Sequence, residues 1–158
     1  MAKTYDPIAT ATATGSQPTI TFSSIPSSFT DIVAVITGNT VSNSAYILLN
    51  NDATALYSRT VLRGDGTSAT STRASGANNL LIDGSYSQPF QNAIIHFMNY
   101  SNTTTFKTVL SRSNNAGAGI DQEVGLYRST NAISRIDFCL TSNWSSGTTF
   151  TLYGIKAA

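Results

Sequence analysis

Along most of this chain, short apolar runs alternate with polar, turn-forming clusters. From residue 19 onward they recur at the spacing of roughly 8–12 residues expected for sandwiches and barrels. The clearest run, DIVAVIT over residues 31–37, is rich in β-branched side chains and too short for an ordinary helix. It predicts a strand buried on both faces, bracketed by Pro26 and Gly38. AYILL at 45–49 predicts a second strand, ending at Asn50, Asn51 and Asp52, whose side chains tolerate turn conformations. Residues 58–63 predict a third, running into Gly64, Asp65 and Gly66, where Asp-Gly is a tight-turn signal. The runs at 93–98 and 106–110 flank NYSNTT and predict a hairpin, and three more strands follow at 124–128, 133–140 and 149–155.

Within 133–140, Ile136, Phe138 and Leu140 share one face, which predicts core, while Arg135, Asp137 and Cys139 share the other. The last strand carries large side chains on both faces, which predicts a central or interface position. No window of 11–18 residues keeps an i, i+3, i+4, i+7 apolar stripe, so no helix longer than a turn is expected. The expected fold is all-β: an antiparallel β-sandwich, jelly-roll-like, of about nine strands. Residues 67–79 and 114–119, dominated by Ser, Thr, Ala, Asn and Gly, are expected to be exposed loops. The Ala/Thr run that follows Tyr5, Pro7 and Ile8 offers no bulky anchor. Residues 1–18 are therefore expected to form an arm and residues 19–158 a single domain.

Composition sharpens this picture. Ser, Thr and Asn number 21, 23 and 13 in 158 residues, against three Lys and one Glu. These residues compete with helical backbone bonding, so the composition favours strands and turns. Charged residues make up 11% of the chain and the net charge is +1, which argues against a nucleic-acid binder or a ligand of anionic membranes. No apolar run reaches the length of a membrane helix, and the first residues form no secretory h-region, so synthesis in a cytoplasm is expected.

Candidate chemistry is sparse. His96, the single histidine, shares a strand face with Ile94 and Met98 and reads as a packed or interface residue rather than a general base. Cys139, the single cysteine, reads as a small buried hydrophobe. One His and one Cys cannot build a tetrahedral zinc site. Asp52, Asp65, Asp83 and Asp121 are scattered through turn-rich segments and read as turn residues before calcium ligands. The tripeptide Arg63-Gly64-Asp65 coincides with the predicted turn and is discounted. The three Asn-x-Ser/Thr sites at Asn99, Asn102 and Asn143 lack a secretory context. Neither an enzyme nor a cofactor is expected. Aromatic residues near predicted loops can stack on sugar rings, which makes Tyr86, Tyr100 and Trp144 candidate glycan contacts.

Five stretches carry a resemblance: FSSIPSSFTD at 22–31, YSRT at 57–60, IHFMNY at 95–100, GLYRS at 125–129 and SGTTFTLYGI at 146–155. In these the chain resembles small virion structural proteins of tailed bacteriophages, especially those infecting cyanobacteria and other aquatic bacteria. The resemblance implies a virion protein made in the host cytoplasm: a capsid knob or decoration on the head surface, with the major capsid protein or other virion proteins as partners. The arm around Tyr5, Pro7 and Ile8 is then the candidate docking element, since an extended segment can add to a neighbouring sheet edge. The competing expectation is a receptor- or carbohydrate-binding module of a tail fibre. Such a module would be a homo-oligomer presenting its loops to a host surface glycan.

Overall fold

The computed structural model describes residues 4–38, 45–82 and 92–156. Twelve strands run in chain order: β1 (Tyr5–Thr12), β2 (Thr19–Phe22), β3 (Asp31–Thr37), β4 (Ala45–Leu49), β5 (Tyr57–Gly64), β6 (Ala69–Ala77), β7 (Leu80–Leu81), β8 (Asn92–Met98), β9 (Lys107–Asn115), β10 (Gly119–Tyr127), β11 (Ile136–Leu140) and β12 (Thr149–Ile155). They form two antiparallel sheets, one of eight strands ordered β1-β12-β3-β8-β9-β10-β5-β6 and one of four ordered β2-β11-β4-β7. The protein is an all-β, jelly-roll-like antiparallel sandwich.

The core lies between the sheets, as the alternation predicted. The large sheet contributes Ile32, Ala34 and Ile36 from β3, Ile95 and Phe97 from β8, and Phe150 and Leu152 from β12. The small sheet contributes Ile47, Leu49, Ile136 and Phe138, each fully buried. Phe138 packs 5.6 Å from Phe150, and Trp144 meets Phe150 edge-on at 4.8 Å, an arrangement that the ring quadrupole favours. Burying each such side chain contributes about 1.5–3 kcal/mol.

Two segments expected as a loop and an arm are strands, and a third expected loop is a tight turn. Residues 67–79, expected as a surface loop, supply β6, which pairs with β5 from Gly64↔Ala69 to Tyr57↔Ala77. Ladder bonds need backbone and not apolar side chains, so a polar segment can hold strand geometry. The turn into β6 is set by Asp65, whose carboxylate accepts from the backbone N–H of Thr67 and Ser68 at 2.8 and 2.7 Å. Residues 114–119 shrink to a tight turn between β9 and β10, closed by Ala118 N–H donating to the Asn115 carbonyl at 2.9 Å. The segment expected as an arm folds back as β1, paired with β12 from Tyr5↔Ile155 to Thr12↔Thr149. Tyr5 stacks edge-on against Tyr153, Pro7 lies opposite Tyr153, and Ile8 sits at the bulge, packed against the core.

Candidate docking face

Only one face of the eight-stranded sheet meets the small sheet. On its other face β8, β9, β10 and β5 lie side by side in a continuous ladder, and their registers set out two ranks of outward side chains. One rank runs His96, Leu110, Val124, Thr60 and the other Ile94, Arg112, Gln122, Leu62. Together they line a depression of about 530 Å³. Its floor is aliphatic: Leu62, Ile94, Leu110 and Val124 are between 38% and 55% exposed, with Ile120 and Met98 extending the apolar area.

The polarity of β9 and β10 is inverted here. The side chains turned inward from these strands include Lys107, Ser111, Ser113, Asp121 and Glu123, all buried, while the apolar Leu110, Ile120 and Val124 face solvent. Each buried ionisable group has a hydrogen-bond partner. Lys107 Nζ donates to the carbonyls of Thr105 and Thr130 at 2.7 and 3.2 Å, and desolvation lowers its pKa. Asp121 accepts from Arg63 Nε at 2.9 Å. The Glu123 carboxyl accepts from Leu81 N–H at 3.1 Å, yet burial outweighs that bond and the nearby Arg59, pushing its pKa up to about 8. An apolar patch left in water is unfavourable, which makes this face the candidate docking surface.

The rim is cationic. Arg112 lies within the depression and Arg73 of β6 borders it opposite Thr60; neither makes an ion pair among the described residues. No carboxylate points outward from β9, β10, β5 or β6 on this face. At its far edge the His96 Nε2 stands 3.0 Å from Asp31 Oδ2, while Asp31 Oδ1 accepts from Asn99 N–H at 2.6 Å. Asn99 has a φ of 49°, so Asp31 secures the left-handed residue that begins the β8–β9 connection.

Two candidate glycan contacts are core residues. Tyr100 is fully buried and its hydroxyl donates to the Pro26 carbonyl; Trp144 is fully buried and its indole Nε1 donates to the Phe138 carbonyl at 3.2 Å. Each ring buries an apolar body while its one polar atom finds a backbone acceptor, which leaves no face for a sugar. Tyr86 and Asp83 lie outside the described residues. Asp52 and Asp65 are taken up by their own turns, accepting from Thr54 and from Thr67 and Ser68, and these bonds lower both pKa values. Among the described residues no group of three or more His, Cys, Asp or Glu could hold a metal ion. The Cys139 thiol is buried, accepts a 3.7 Å contact from Thr19 Oγ1, and has its pKa raised by desolvation.

Sequence reasoning did not single out Leu62, Leu110, Arg112, Gln122 or Val124. Alternation could not have found them: within 119–127 Ile120, Val124 and Leu126 share one parity and Asp121 and Glu123 the other, which reads as the apolar side turned inward, the reverse of what the fold shows.

No family model matches the chain, and no curated protein matches it. Among solved structures, a tetrameric galectin from the ball sponge Cinachyrella sp. is similar at 10% identity and a TM-score of 0.38. The match covers 87% of this chain and 99% of that chain.

Proposed function

We propose that this chain is a structural protein of a tailed-bacteriophage virion, a decoration or knob on the head surface, held there through the outer face of its large sheet. The observation that carries the reading is the inverted polarity of β9 and β10, which turns Leu110, Ile120 and Val124 to solvent above a layer of buried polar and ionisable side chains. The resemblance of the 22–31, 95–100 and 146–155 stretches to small virion proteins supports the same role. The depression has an aliphatic floor and no Phe, Tyr or Trp among its lining residues, which favours a protein surface over a sugar, since pyranose rings are commonly held on the faces of such rings. Arg112 in the depression and Arg73 at its border, neither in an ion pair among the described residues, favour a partner whose apolar contact is edged by carboxylates. The major capsid protein is the partner this reading assigns.

Electron microscopy of intact particles is the test, with the chain tagged at the β9–β10 turn. Regular density on the head with the β8–β9–β10–β5 face against the shell is the expected result. Density confined to a tail fibre, together with retention on a glycan array, would replace this reading with that of a receptor-binding module.

A further inference from the structure

We infer that β6 is a pairing edge, and that a second copy of this chain joins it there, strand β6 against strand β6 about a two-fold axis. This goes beyond the proposed virion role and does not depend on it.

A strand at the end of a sheet offers a row of free N–H and C=O groups, and natural proteins guard such edges with proline, bulges, charge or shortness. Among the described residues, three of the four sheet edges are guarded. On β1, Pro7 lacks an N–H, a bulge interrupts the register between Pro7 and Ala9, and Asp6 is paired with Lys156 at 2.7 Å. The small-sheet edges β2 and β7 are four and two residues long. By contrast β6 is nine residues long, and its first seven, Ala69 to Ser75, contain no proline and one charge. The only irregularity comes after them, at Gly76, which has a φ of 67° and sits where the pairing with β5 slips.

Among the described residues, core packing does not account for the stretch from Ala69 to Ser75. The small sheet ends short of β6, and every β6 residue is exposed or half-exposed; Ala77, at its end, packs against the core, while 69–75 have no place among the core residues. Among the described residues its hydrogen-bonded partner is β5 alone.

The composition selects the partner and the register. An antiparallel two-fold centred on Thr72 pairs Ala69 with Ser75, Thr70 with Ala74 and Ser71 with Arg73. The whole unguarded stretch is matched to itself, and the two Arg73 charges are not set opposite each other, where like charges destabilise a pair. Pairing β6 with β1 of another copy would meet Pro7 and leave an open chain of copies, whereas the two-fold consumes the edge and closes. The product is one sheet of sixteen strands carrying two docking faces on the same side.

Analytical ultracentrifugation of the full chain, together with hydrogen exchange read over residues 69–77 at low and high protein concentration, tests the inference. The expected result is a species of twice the 16.7 kDa chain mass, with protection of 69–77 rising with concentration. Ser71→Pro and Thr72→Pro complete the test. Successive residues alternate their N–H groups between β5 and the open edge, so one of the two variants keeps the β5 ladder intact and is expected to sediment as a monomer. A monomer at all concentrations, or exchange over 69–77 that is independent of concentration, would overturn the inference. So would a dimer that survives in the variant whose melting temperature is preserved.

Discussion

Val124 on β10 stands directly opposite Leu110 on β9, and both side chains face solvent, 48% and 41% exposed. Nothing in the sandwich rests on them, so Val124→Lys is expected to change stability by no more than about 0.5 kcal/mol. If they are the centre of the docking face, the same substitution lowers incorporation into particles at least about tenfold, a loss of some 1.4 kcal/mol. Quantifying the chain in purified particles by mass spectrometry checks this. Unchanged incorporation would move the docking surface elsewhere.

Glu123 makes stability fall as pH rises. Its pKa is raised to about 8 in the folded protein, against 4.5 as its ordinary value. Between those values the folded state holds a proton that the unfolded state has released, so its contribution is complete below pH 4.5 and is lost as pH climbs through 8. Glu123→Gln keeps an acceptor for Leu81 N–H and removes the titration. Urea unfolding at pH 5 and pH 9 is expected to show similar stabilities for the two proteins at the lower pH. At the higher pH the variant should lead by on the order of a few kcal/mol. Parallel pH profiles would mean that the Glu123 carboxyl is solvated.

Gly154 on β12 lies against the ring of Phe29, so close that an added Cβ would stand 2.3 Å from the ring's Cγ. Gly154→Ala is expected to destabilise by about 1–3 kcal/mol through overpacking, and Gly154→Ala combined with Phe29→Leu to recover part of that loss. Thermal melts of the three proteins measure both effects. A wild-type melting temperature in the single variant would mean that Phe29 moves aside freely.

Trp144 behaves as a core residue. Trp144→Ala removes the edge-on contact with Phe150 and the bond to the Phe138 carbonyl, and is expected to cost about 3–5 kcal/mol. Near-ultraviolet circular dichroism and denaturant unfolding register the change. A variant as stable as the native chain, with its exposed surface unchanged, would restore Trp144 as a surface residue.

Much of the fold is legible in local pattern. The runs at 31–37, 45–49 and 149–155 predict β3, β4 and β12 because strand alternation and β-branched composition are properties of neighbouring residues. The hairpin between β8 and β9 is legible from the polar NYSNTT cluster. The segments at 5–12 and 69–77 are not, because Ala, Ser and Thr side chains carry no burial signal and the bonds that make them strands come from β12 and β5. Tyr100 and Trp144 read either way in sequence, since an aromatic ring beside a turn serves equally at a surface or as a plug.

The one-dimensional chain therefore determined that this protein is a β-sandwich poor in His, Glu and Lys, because composition and alternation act over a few residues. Which face of each strand is wet was decided in three dimensions. On β9 and β10 the usual assignment is reversed, with Ser111, Asp121 and Glu123 inside and Leu110 and Val124 outside. That reversal depends on Arg63 reaching Asp121 and on Leu81 N–H reaching Glu123 from other strands. Such compensation comes from residues tens of positions away, and no local pattern of apolar and polar residues records it.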